Sequence, residues 1–143
     1  MKTSRAARLF IQRFVPLNLH AHQSHGGWEI GYGHRGTGRE PYISPSDHIT
    51  IGRAVELLDE DLKLCAKIVS SAIKVDLATH EFDALVCEVY FLPYRSEFKD
   101  SEIAHFVNRR NKEAAAEAMS KGKMPRAIAR RQAALSDFFL GEN

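Results

Sequence analysis

Six side chains in the first third of the chain could do chemistry. They are Glu29, His20, His22, His25, His34 and the indole of Trp28, which precedes the carboxylate in Gly27-Trp28-Glu29-Ile30-Gly31-Tyr32-Gly33-His34. A carboxylate next to imidazoles suggests proton transfer, because a histidine titrates near neutral pH and a glutamate can act as base or nucleophile. Glu29 is also the first acidic residue in the chain, since residues 1–28 contain neither Asp nor Glu. The cluster His20-x-His22-x-x-His25 invites a zinc reading. Three histidines in a loop, with no nearby Cys and no helical HxxxH spacing, make a weak metal signal, and the expectation is a polar, His-rich loop with no metal and no cofactor.

The elements that must hold these groups follow from periodicity. Residues 3–15 read as a helix, with Ala6, Leu9, Phe10, Arg13 and Phe14 at helical spacing, Thr3 or Ser4 as cap and Pro16 as terminator. Residues 17–48 are rich in Gly, His, Ser and Pro, with alternation only at Trp28, Ile30 and Tyr32, which predicts a small β-lobe of short strands and turns. Residues 50–140 read as a helical lobe. Ile51, Ala54, Leu57, Leu58, Leu62, Cys65, Ile68 and Val69 form a stripe over 50–73 that could carry a break. Thr79 starts a helix that Pro93 stops, Ser101 caps another, Asn111 or Lys112 begins a fourth, and Pro125 opens the last. The class is α+β, mainly α, one domain with a small β-lobe and a larger helical lobe around a groove.

Composition bounds the function. The chain has 143 residues, 44% hydrophobic and 27% charged, with a net charge of +2, too weak to argue for nucleic acid. Basic residues gather at Lys2, Arg5, Arg8 and Arg13 and again at Lys121, Lys123, Arg126, Arg130 and Arg131, read as solvated helix faces that could also attract an anionic polymer. Cys65 and Cys87 fall in apolar helical patterns and read as buried, reduced thiols. No apolar run approaches ~18 residues, so no membrane span is expected. The basic N-terminus is interrupted at Gln12 and Arg13 and does not read as a signal peptide.

The octapeptide resembles the W-T-I-G-Y-G-H signature of phage-type lysozymes, the endolysin muramidases of glycoside hydrolase family 24. Four further stretches follow that family in order: Ile49-Thr50 through Asp61-Leu62, Leu77 through Leu85, Phe98 through Asn108, and Arg130-Arg131. The resemblance implies a lysozyme-like fold, peptidoglycan as the substrate class, phage origin with cytoplasmic synthesis, and release to or delivery into the periplasm. It also implies that His34 pairs with Asp61 as a structural tie between lobes. For the groove it singles out Val15, Gln23, Trp28, Tyr32, Leu92 and Glu102.

Against the family pattern the catalytic positions differ. The family's acid, in F-E-G, falls on Phe14 or Val15; its loop Asp falls near Gln23; its hydroxyl residue is Glu29. The F-N-x-G turn reads Phe91-Leu92-Pro93-Tyr94, the Thr after Ser101 is Glu102, and the Glu of R-R-x-x-E is Ala134. Glycoside hydrolysis ordinarily needs two carboxyl groups, one of them a proton donor. Two readings follow. In the first the site has lost hydrolysis and binds peptidoglycan or a protein partner. In the second a muramidase works through Glu29, with His20, His22, His25 or Glu40 as a non-standard acid.

Overall fold

The computed structural model describes residues 1–24, 27–36, 42–121 and 126–142. His25, Glu40, Lys123 and Pro125 lie outside the described residues. The chain forms two compact units, Arg8–Asp61 on one side and Met1–Ala7 with Leu62–Asn143 on the other. The first two helices are α1 (Arg5–Phe14) and α2 (Ile51–Ala72).

Ser4 starts α1. Its Oγ accepts from the Ala6 amide at 3.2 Å, satisfying one of the donors a helix N-terminus leaves open. Expectation and structure differ on the face of this helix. Ala7, Phe10 and Ile11 are buried, whereas Ala6 and Leu9 are exposed. The stripe is therefore i, i+3, i+4 from Ala7, one residue further round than the apolar pattern suggested. At the start of the helix Ser4 is bound by Asp83, and the Ala7 carbonyl accepts from Cys87 Sγ at 3.5 Å.

In the Arg8–Asp61 unit, β1 (Asn18–Ser24), β2 (Gly27–Gly31) and β3 (His34–Arg35) form an antiparallel sheet in the order β1-β2-β3. The histidines His20 and His22 thus lie on a strand, not in a loop. The five residues Asn18 to His22 of β1 oppose the three residues Gly31 to Glu29 of β2, so the strand bulges there. In the sequence Leu17, Leu19 and Ala21 alternate with Asn18, His20 and His22, while burial loses that alternation at Ala21 and His22. Gly31 and Gly33, at φ +69° and +82°, make the turn into β3. A Cβ on Gly31 would meet Ala54 Cβ at 3.4 Å, so the sheet backbone rests directly on α2 at its alanine. Thr50 Oγ1 caps α2 through the Arg53 amide at 3.1 Å, and Ile30, Leu57 and Leu58 complete this core.

The helical unit is built around α3 (Thr79–Phe91), in which every residue from Glu81 to Tyr90 is buried. A helix buried on all sides must find a partner for each polar group it carries. Glu81 Oε1 accepts from the Ala78 amide at 2.7 Å and Oε2 from Lys112 Nζ at 2.6 Å. Asp83 accepts from the Ser4 amide at 2.9 Å and from the Ser4 hydroxyl. Glu88 Oε1 accepts from Gln132 Nε2 at 3.0 Å, and the same Nε2 reaches the Met119 carbonyl at 3.1 Å. Gln132 of α6 (Arg126–Leu140) thereby joins α3 to the end of α5 (Lys112–Ser120). Phe82, Phe98, Leu85, Val86, Leu135 and Phe139 fill the interior.

Ser101 caps α4 (Glu102–Asn108) and Asn111 caps α5, as expected. The amide of Asn108 brackets the end of α2, accepting from Lys74 N at 2.7 Å and donating to the Ala72 carbonyl at 2.9 Å. Helix α2 runs without a break. Cys65 and Cys87 are free and buried, and burial pushes the Cys87 thiol well above its ordinary pKa, keeping it protonated.

Arg110 closes α4 at φ +60°, with its amide donating to Val107 O and that of Asn111 to Phe106 O, at 2.9 Å each. This helix ending favours glycine, which has no Cβ to clash. Arg110→Gly is therefore expected to raise stability by roughly 0.5–1 kcal/mol, read as a higher urea midpoint at unchanged slope.

Candidate functional site

The sheet register gathers part of the site. Glu29 stands opposite His22 on β1 and opposite Arg35 on β3, so the three side chains form a row across one sheet face. Ile30 and His34, themselves a cross-strand pair, point to the other face, and both are buried. Arg35 was not legible as a site residue. It reaches Glu29 only through the three-residue turn Gly31-Tyr32-Gly33, which no spacing rule specifies.

The electrostatics of the row are uneven. Every other described carboxylate of this unit has a partner. Asp47 accepts from Ser44 N at 2.8 Å, Asp59 pairs with Arg8 at 3.4 Å, Glu56 and Glu60 pair with Arg53 at 3.9 and 3.4 Å, and Asp61 faces His34. Glu29 is half-buried, and among the described residues its carboxylate makes no hydrogen bond or ion pair. His22 Nδ1 is buried and has no hydrogen-bond partner among them. A carboxylate and an imidazole nitrogen with unused hydrogen-bonding capacity thus sit on neighbouring strands.

His34 Nδ1 and Asp61 Oδ2 are 2.8 Å apart, with each side chain 3% exposed. Asp61 occupies the apolar stripe of α2 between Leu58 and Leu62, and His34 reaches it from β3. Deep burial leaves little room for water, so the groups must satisfy each other.

The other expected positions are as follows. Val15 is half-buried just past the end of α1, and its amide continues the helix pattern to the Ile11 carbonyl at 2.9 Å. Phe14 packs its ring against Phe10 at 4.9 Å and under the Arg13 guanidinium at 4.7 Å. Neither position offers a proton. Gln23 is exposed and opposes Trp28 across β1 and β2; Trp28 and Tyr32 are half-buried.

Leu92 and Glu102 belong to the helical unit. Leu92 ends α3, its amide donating to Val89 O at 3.1 Å. Glu102, in the first turn of α4, forms an exposed pair with Lys121 at 3.4 Å, an arrangement that adds little stability. Two arginines near the end of α3 lie over aromatic rings, Arg95 on Tyr90 at 4.9 Å and Arg131 on Phe91 at 3.9 Å. Burial lowers the Arg131 pKa from its ordinary value and Glu88 opposes the shift. Among the described residues no three His, Cys, Asp or Glu side chains gather as a metal site.

A small antiparallel sheet together with a helical body built on one buried helix defines a lysozyme-like protein. The phage lysozyme family matches over residues 14–134. The chain belongs to that family. The endolysin of Salmonella phage P22 is 35% identical over 89 residues, 62% of this chain and 60% of that protein. The endolysin of Bacillus phage PZA is 31% identical over 111 residues, 76% of this chain but 41% of that protein. The matches therefore span less than two thirds of either relative. The solved endolysin from Escherichia coli O157:H7 phage FAHEc1 superposes with a TM-score of 0.84 at 32% identity, covering 98% of this chain and 94% of that one. No described helix is long and apolar enough to cross a membrane.

The His34–Asp61 contact gives a direct expectation. His34→Ala and Asp61→Ala should each destabilise by on the order of 3 kcal/mol, between the cost of one unsatisfied buried polar group and that of a broken buried ion pair. Chemical denaturation of both single variants and the double variant checks this, with the double variant close to either single one.

Proposed function

We propose that this member of the phage lysozyme family has lost ordinary glycoside hydrolysis and binds peptidoglycan. The observation that carries the proposal is the lack of any carboxylate before Glu29, in a chain whose candidate acid positions are Phe14 and Val15. Acid catalysis at a glycosidic oxygen needs a proton donor within hydrogen-bond reach, and an aromatic or aliphatic side chain supplies none. His34 with Asp61 serves as a structural tie and takes no part in the chemistry. Release to or delivery into the periplasm belongs to the same proposal.

A second reading has a specific observation in its favour. His22 faces Glu29 across the strands with an unpartnered Nδ1. A protonated imidazole there could donate to the leaving oxygen while Glu29 took a proton from the attacking water, an unusual acid with an ordinary base.

Sedimentation with insoluble peptidoglycan and a turbidity assay on the same material test the proposal. The wild-type chain is expected to co-pellet without clearing the suspension. Folded protein left in the supernatant would instead point to a protein partner. The variant Val15→Glu/Gln23→Asp/Glu29→Thr is expected to gain clearing activity. A well-folded triple variant with no clearing would count against the placement of these positions.

A further inference from the structure

We propose that the exposed pair His20 and His48 binds a late first-row divalent metal ion, with zinc(II) and copper(II) as the ions its donors fit. His20 of β1 and His48 form an isolated antiparallel bridge, joining residues far apart in the sequence. The flanking hydrogen bonds run from Ala21 N to Asp47 O at 2.9 Å and from Ile49 N to Leu19 O at 2.8 Å. His20 and His48 themselves exchange no backbone hydrogen bond. In an antiparallel ladder that is the closer kind of pair, with both side chains on one face.

The imidazoles already stand near each other. Their ring centroids are 6.0 Å apart with the planes tilted by 35°, and both residues are exposed. Two imidazoles bound to one ion at about 2.0–2.1 Å and near-tetrahedral or square angles would bring their centroids to roughly 4.5–5 Å. The rings must therefore close by about an ångström, which side-chain rotation at an exposed position can supply. Neutral imidazole suits zinc, copper and nickel better than magnesium or calcium. With no third His, Cys, Asp or Glu joining the pair among the described residues, water or an outside ligand would complete the shell. That is an open site, formed by a pairing different from the sequence-local cluster His20, His22 and His25.

A bound ion would clip the strand-like segment at 47–49 onto β1, the strand that also carries His22. The pair is exposed and uses none of the residues of the proposed peptidoglycan site, so the two readings can fail separately.

The test is calorimetric titration of the full chain with zinc chloride in chelator-free buffer, joined to NMR of the imidazole resonances. The expected result is saturable one-to-one binding that shifts the His20 and His48 resonances before those of the other histidines. His20→Ala and His48→Ala should each weaken binding at least tenfold, and His105→Ala, at an exposed helical site, should leave it unchanged. No saturable binding, first shifts at other histidines, or unaltered affinity in both single variants would overturn the proposal. The wild-type NMR result decides the matter even if a variant folds poorly.

Discussion

A carboxylate taken out of water must be matched, and this constraint organises the protein more than any apolar contact does. Helix α3 shows it most fully. Three of its ten consecutive buried residues are acidic, and each is met by a group from elsewhere in the helical unit: Lys112, Ser4 and Gln132. The consequences reach beyond the carboxylates. Asp83 binds Ser4, the residue that precedes α1. Gln132 relates three helices by satisfying Glu88 and the last turn of α5 together. In the sheet-bearing unit Asp61 sets the same requirement, and His34 meets it.

Glu29 departs from that pattern. It lies half-buried on a sheet face between His22 and Arg35, and no described group hydrogen-bonds to its carboxylate. Against the family pattern, buried positions are retained at His34, Asp61, Phe82 and Asp83. The positions expected to meet a sugar chain read Val15, Gln23, Glu29, Leu92 and Glu102. A fold can keep its packing while its site changes, because the two are carried by different residues.

How much was legible in the sequence follows from the range of the forces involved. The cap at Ser101 and the helix start at Asn111 were readable because an N-cap acts within three residues. The α2 stripe was readable because burial repeats every turn. The His34–Asp61 pair was readable only through family resemblance, since nothing local in a Gly-Tyr-Gly-His turn names its partner. Strand β1 carries its alternation in Leu17, Leu19 and Ala21, but nothing in that alternation specifies its bulge or its register with β2. The face of α1 was misread by one residue, although Ala7, Phe10 and Ile11, the buried set, also stand at helical spacing in the sequence. The Glu29–Arg35 and His20–His48 neighbours depend on strand register, which the sequence leaves open until the turns are fixed.

The central claim is that a lysozyme fold without its acid binds the wall polymer without cutting it. Mass spectrometry of soluble products after long incubation with purified peptidoglycan tests this most directly. The account predicts no new reducing-end muropeptides above a no-protein control. Reducing-end products that disappear on Glu29→Gln or His22→Ala, with the fold intact, would contradict it and establish the carboxylate–imidazole pair as a working catalytic site.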